Sequence, residues 1–291
     1  MADVIFVGLS TIEVTHNVDR FPKANEKVAA SGQDVFVGGP AANACIAFVH
    51  VGGKPALVTA IGRHPLASMV REELGRYGIQ SIDLNAQSVD VPPISSVTLD
   101  KKRQRNVVAA NALRVHAAEA AVDRSVLTSA RMVMVDGHYM QACQAWASAA
   151  RALEKSVVFG GGSWKEGTDA LLKSVHTAIC SADFRPPGCA NSAQAVEYLK
   201  ARGVTNIAIT HGGDPIEFVS GMSQGTLRLP QVEVADATGA GDVLNGAYCY
   251  YATQGHGFVQ ALSEAAEIAT ESCRFEGTRQ WMEAQAVGAR D

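Results

Sequence analysis

The segment richest in possible chemistry is Asp236-Ala237-Thr238-Gly239-Ala240-Gly241-Asp242, which runs directly into a helical pattern from Val243 to Ala252. Small residues at a helix N-terminus leave backbone N–H groups unpaired beside the positive end of the helix dipole, a place for a phosphate oxyanion. Asp242 falls in the first turn. A carboxylate there can simply complement the dipole, but beside an anion hole it can also act as a general base. Phosphoryl transfer to an alcohol needs both parts, because it depends on alignment, charge stabilisation and removal of the hydroxyl proton.

A second glycine-punctuated turn, Val37-Gly38-Gly39-Pro40-Ala41-Ala42-Asn43-Ala44, opens a helical run from Ala41 to Val51. It can let a ligand approach the backbone, with the Asn43 amide donating to and accepting from polyol hydroxyls, or be a plain strand-to-helix turn whose small residues allow close packing. It is neither a Walker A loop nor G-x-G-x-x-G. Other signals are weaker. Gly221-Met222-Ser223-Gln224-Gly225 has the spacing of a hydrolase nucleophile elbow, but the strand-like alternation that follows it predicts a hairpin turn. Gly160-Gly161-Gly162-Ser163-Trp164-Lys165 and Asp136-Gly137-His138 both follow apolar strands, where open α/β sheets bind ligands. For these the plainer readings are a flexible loop with a solvated lysine and a structural histidine. The eight histidines form no H-x-H or H-x-x-x-H pair, which argues against zinc.

These residues must be positioned by a layered α/β body. Short β-branched runs (Val4–Leu9, Ala56–Ile61, Met132–Asp136, Val157–Phe159, Thr177–Cys180, Asn206–Thr210) alternate with Ala-rich helical segments (Ala41–Val51, Leu66–Tyr77, Gln141–Leu153, Ala190–Ala201, Ala240–Ala252, Phe258–Arg274). That is the pattern of βαβ units and a mostly parallel sheet. Two regions break it: Glu13–Phe36, and the hairpin pattern Ile94–Ala109 with a basic turn at Asp100–Arg105. Together they predict a small β-sheet projecting from the body as a lid. No repeat or linker marks a second domain, so residues 1–291 read as one.

The 291 residues are 47% apolar and 19% charged, enough to bury a sizeable core. The formal net charge is −4 with no basic block, which argues against nucleic acid or an anionic membrane as partner. No apolar run approaches the length of a membrane span or a secretory signal. Six scattered cysteines without a C-x-x-C pair point to small buried thiols in a reducing cytoplasm.

Taken together, the two glycine segments resemble the ribokinase-like (PfkB) carbohydrate kinase family over nearly the whole chain. The first family signature is met by Gly38, Gly39, Asn43, Gly52 and Gly62, with Cys45 where a smaller residue is usual. The second is met by Asp236, Thr238, Gly239, Ala240, Gly241, Asp242 and Gly246, with Ala237 in place of the commoner Thr or Ser. The resemblance implies a three-layer α/β/α core with a β-sheet lid, and an ATP- and Mg²⁺-dependent kinase acting on a hydroxyl of a sugar or sugar derivative. It implies Asp242 as general base, with Gly239, Ala240 and Gly241 as the anion hole. Substrate contacts would fall at Glu13, where the family usually has Asp, and at Gly38, Gly39, Asn43, Lys27 and Arg105. Nucleotide contacts would fall at Thr210, Gly212 and Gly277. It further implies a monovalent cation near Asp236 and a homodimer clasped through the lid.

The sequence also departs from the family. Ile61-Gly62-Arg63-His64-Pro65-Leu66 lacks the usual acidic pair, and Ser181-Ala182-Asp183-Phe184 replaces Asn-x-x-Glu. The metal ligands are therefore unassigned, with Asp183 the candidate at that place. Two alternatives stay open: a nucleoside kinase of adenosine-kinase type, for which Phe21 and Phe36 could stack on a base, and a catalytically weak sugar- or nucleotide-binding regulator. Lys27, Arg105 and Lys165 would favour an anionic sugar if they converge on the acceptor.

Overall fold

The computed structural model describes residues 2–102, 104–111 and 122–288. Nine strands form the large sheet: β1 (Val4–Val7), β4 (Pro55–Thr59), β5 (Gln80–Asp83), β8 (Met132–Val135), β9 (Ser156–Gly161), β10 (Thr177–Ser181), β11 (Asn206–His211), β12 (Asp214–Ser220) and β13 (Ser223–Leu227). Their order is β13-β12-β11-β10-β9-β8-β1-β4-β5. All neighbouring pairs are parallel except β11–β12 and β12–β13.

Strands β1 and β8 are apolar and buried at every position because both faces are covered. Val4 and Phe6 of β1 enter one core and Ile5 and Val7 the other; Met132 and Met134 of β8 likewise oppose Val133 and Val135. The first core is closed by α1 (Pro40–His50), α2 (Ala67–Arg76), α7 (Ala240–Thr253), α8 (Phe258–Ser272) and α9 (Gln280–Gly288). The second is closed by α3 (Arg124–Ser129), α4 (Met140–Ala152), α5 (Thr168–Leu172) and α6 (Ser192–Ala201). The alternating pattern thus becomes a helix–sheet–helix sandwich, and the anticipated strands and helices are present with ends shifted by a few residues.

The two irregular segments form the second sheet. It holds β2 (Thr11–Asn17), β3 (Gly32–Gly38), β6 (Ile94–Leu99) and β7 (Arg105–Ala109) in the order β3-β2-β6-β7. β2 pairs antiparallel with β3 and parallel with β6, setting Glu13 opposite Phe36 and Ser95. Along β6, Ser95, Val97 and Leu99 are buried, whereas every residue of β7 is exposed.

One reading of the sequence needs correction. Gly160 and Gly161 lie within β9 rather than in a flexible loop, because neighbouring side chains leave no room for a Cβ. At Gly160 it would come within 2.6 Å of Met134 Cε, and at Gly161 within 2.6 Å of Cys180 Sγ. The Gly221-Met222 pair is a hairpin turn between β12 and β13, as its surroundings suggested. All six cysteines are free, with Cys45, Cys143, Cys180 and Cys249 buried. Among the described residues no helix is long and apolar enough to cross a membrane.

Candidate active site

Two helix N-termini meet where the large sheet faces the small one. Gly239 caps α7 in the left-handed region with φ 75°, and a Cβ there would press within 2.6 Å of Thr278 Cγ2, so glycine is required twice over. Within α7, a Cβ on Gly246 would lie 2.2 Å from the Ala44 carbonyl oxygen of α1. This close approach of the helices brings Asn43, near the start of α1, to Asp242, in the first turn of α7. The Asn43 Nδ2 donates to Asp242 Oδ2 at 2.9 Å. At the helix start, the Ala240 amide makes only a long 3.3 Å turn bond, and the space in front of Gly241 is open for 4 Å.

Burial sets the charges of this site. The Asp242 carboxyl is pushed up to about 6, chiefly by desolvation and also by the nearby Asp136 carboxylate, while the Asn43 hydrogen bond, His138 and Arg279 pull the other way. The Glu13 carboxyl is also raised, first by burial and then by Asp242, with Arg279 and Arg105 opposing. Asp136 behaves differently. Burial disfavours its charge, but the neighbouring His138 and the Leu9 and His138 amides hold it below the usual carboxylate range. Its Oδ2 accepts from Leu9 N at 2.8 Å and Ala41 N at 3.2 Å, and its Oδ1 from His138 N at 2.9 Å, so it ties β1, α1 and β8 together beneath the site.

A cavity of about 300 Å³ opens over Asp242. Gly39, Asn43, His138, Thr238 and Gly239 line its body side, and Thr11, Glu13, Ser95, Val97, Arg105 and Asn111 line its lid side. Thr11 is 3% exposed and, among the described residues, its hydroxyl has no hydrogen-bond partner, leaving a buried polar group on this cavity's lining. A second cavity of about 330 Å³ shares Glu13, Val97 and Thr238 and extends past Asp236, Gly277 and Arg279. Asp236 clips the intervening loops, its Oδ1 accepting from Thr238 N at 2.8 Å and its Oδ2 from Gly277 N at 3.0 Å.

The structure therefore gathers Asp242, Gly239, Asn43, Gly39, Glu13 and Arg105 around one cavity, with Gly38 packed against the Glu13 carboxylate. Gly277 lines the neighbouring cavity. Thr210 is the penultimate residue of β11 and Gly212 lies in the turn after it, outside both linings; Asp183 is exposed just beyond β10. The three cations do not converge. Lys27 is exposed in the β2–β3 connection and Lys165 stays outside both linings, its Nζ donating to the Ser163 carbonyl at 3.3 Å. Sequence reasoning missed Thr11 and Arg279 and treated His138 as structural. A lone threonine in a strand and a lone arginine after Gly277 carry no spacing signal that would have found them.

Comparison with known proteins places the chain in a family. The pattern describing the pfkB family carbohydrate kinase matches residues 1–285. The chain belongs to the pfkB family of carbohydrate kinases. It is accordingly a phosphotransferase with an alcohol group as acceptor. This pfkB kinase is 23% identical over 287 residues to the ribokinase of Haemophilus influenzae, covering 92% of the chain and 88% of the relative. Among solved structures, it resembles a putative ribokinase from Agrobacterium tumefaciens with a TM-score of 0.85 and 20% identity, covering 100% of this chain and 99% of the other. The Arabidopsis thaliana ribokinase, solved with ribose and ATP, matches with a TM-score of 0.77 and 18% identity over 97% of this chain and 99% of its own. At these identities the structural likeness speaks for the ribokinase-like fold.

Proposed function

We propose that this kinase transfers the γ-phosphoryl group of ATP to a primary hydroxyl of a sugar or sugar derivative seated in the cavity over Asp242. The observation that carries the proposal is the half-buried Asp242 carboxylate, held by Asn43 at the N-terminus of α7 and facing that cavity. Asp242 takes the acceptor hydroxyl proton, and the open helix start at Gly239, Ala240 and Gly241 receives the negative charge of the transferring group. Glu13, Asn43 and the unpartnered Thr11 hydroxyl hold the remaining sugar hydroxyls. Thr210, Gly212 and Gly277 are assigned to the nucleotide.

The exposed Asp183 carboxylate beyond β10 suits Mg²⁺, which is commonly held by one or two carboxylates plus phosphate oxygens and water. Bound there, the metal would neutralise phosphate charge. Asp236 spends two acceptor positions on backbone amides, and its remaining lone pairs suit a monovalent cation.

Two features favour a neutral sugar. Among the described residues, no Phe, Tyr or Trp lines the cavity over Asp242 to stack on a base; Phe36 lines the neighbouring cavity, with the Arg279 guanidinium 5.6 Å from its ring centre. Arg105 is the lone lysine or arginine among the lining residues, against the carboxylates of Glu13 and Asp242.

The test is ADP release with MgATP against pentoses, hexoses, ketose phosphates and nucleosides. Turnover with neutral sugars is expected, rising as pH climbs through about 6, where Asp242 loses its proton. A preference for nucleosides would reject the sugar reading, and the absence of acceptor-dependent ADP release would leave only a binding role.

A further inference from the structure

Arg279 belongs to neither glycine segment, yet its side chain is only 14% exposed and reaches the catalytic pair. Its Nη1 donates to Asn43 Oδ1 at 3.1 Å and to Thr278 Oγ1 at 2.9 Å, and its Nη2 donates to the Val37 carbonyl. Its Nε lies 3.5 Å from Glu73 Oε1, an ion-pair contact, and the other Glu73 oxygen accepts from Val37 N at 2.8 Å. The end of β3, the carboxylate from α2 and the Phe36 ring thus hold the guanidinium in one orientation.

A carboxamide has an accepting end and a donating end, whereas a guanidinium only donates. Arg279 therefore requires Asn43 to turn its oxygen toward α9 and its NH₂ toward Asp242. The flipped amide would set N–H against N–H on one side and oxygen against carboxylate on the other.

We infer that Arg279 is a positioning residue for phosphoryl transfer: acting through Asn43, it commits one oxygen of Asp242 to the amide and leaves the other for the acceptor hydroxyl. This rests on Asp242 being the base. The titratable and charged groups facing Asp242 are Asp136 and His138 just after β8, Glu13 on β2, Arg105 on β7, and Arg279 itself. Removing Arg279 deletes the cation and frees the amide to flip, so both changes make Asp242 harder to ionise.

The experiment compares Arg279→Ala and Arg279→Lys with the parent, using the sugar that gives the fastest ADP release in the acceptor screen. Arg279→Ala is expected to lower kcat about 10–100-fold, the scale of a misplaced catalytic group, while the sugar and ATP KM values change less than about threefold. The acid limb of kcat should move to higher pH. Arg279→Lys should recover part of the rate, because an ammonium can donate to Asn43 but cannot span Val37 and Thr278 as well. Millimolar guanidinium chloride should restore activity to Arg279→Ala, and sodium chloride at equal ionic strength should not.

A second readout needs no acceptor. The midpoint pH of the growing thermal-unfolding difference between Asp242→Asn and Asp242 should rise when both are placed on the Arg279→Lys background, which keeps a cation to hold the fold. An unmoved acid limb and an unmoved unfolding midpoint, or a loss confined to KM, would overturn the inference and reduce Arg279 to a clamp for α9. If Asp242→Asn itself turns over near the parental rate, the base assignment falls instead.

Discussion

Asp242→Asn should slow the enzyme and stabilise it, and the two effects have one cause. The amide keeps the shape of the carboxylate and can still accept from Asn43, but it cannot take a proton, so kcat should fall about 10²- to 10⁴-fold, the range for losing a general base. The stability change follows from the raised carboxyl: about 6 in the folded protein against 3.8 for an unperturbed aspartate. Between those values the folded chain binds more protons than the unfolded one, so stability falls as pH rises through the window. A tenfold difference in proton affinity is about 1.4 kcal/mol, giving a ceiling of about 3 kcal/mol for the cost of holding Asp242 ionised. Its partial exposure and the weaker amide–amide hydrogen bond bring the expected gain to about 1–2 kcal/mol at pH 8. For a chain of this size that is about 2–4 °C in Tm. The gain should shrink toward pH 4, as the pH approaches the unfolded carboxyl's own value of 3.8. Thermal unfolding of parent and variant from pH 4 to 8, with turnover at pH 8, checks both halves. A Tm difference independent of pH would refute the charge argument, and a variant within about threefold of parental kcat would refute the base assignment.

Three further outcomes follow from the geometry. Glu13→Gln should raise the sugar KM about tenfold or more and leave the ATP KM nearly unchanged, since a lost hydrogen bond to a charged group is worth about 1.5–3 kcal/mol; equal effects on both KM values would place Glu13 outside the acceptor site. Gly246→Ala forces a methyl to within 2.2 Å of the Ala44 carbonyl, so it should cost at least about 1–3 kcal/mol and lower kcat by moving Asn43 away from Asp242. Unchanged Tm in that variant would show that α1 and α7 do not need their close contact. Val107 and Val108 are 51% and 76% exposed on β7, an edge strand of the small sheet, and we propose that a second copy covers them. Val108→Lys should then shift sedimentation toward monomer, and a parent that is wholly monomeric at micromolar concentration would reject the dimer.

Much of this protein was decided locally and can be read in the chain. The β1 and β8 runs are apolar at every position because a parallel strand between helices has no solvent face, and that pattern survives in one dimension. The Gly239–Asp242 turn is legible for the same reason: an anion-receptive helix start and its first-turn carboxylate are neighbours in sequence. What joins Asp242 to Asn43 is not local. These residues are 199 positions apart, and their 2.9 Å hydrogen bond exists because Gly246 lets α7 close on α1. Arg279 reaches Asn43 across 236 positions, through a backbone path that no periodicity encodes. Lys27 and Lys165 show the converse, since cations that seemed suited to the acceptor are kept outside its cavity by the path of their loops. The sequence by itself determined the layered fold, the helix start and the family chemistry, because each depends on short-range pattern. Which side chains share the cavity, and which way the Asn43 amide points, was decided only when distant segments packed, because hydrogen bonds and desolvation act over a few ångströms in space regardless of separation along the chain.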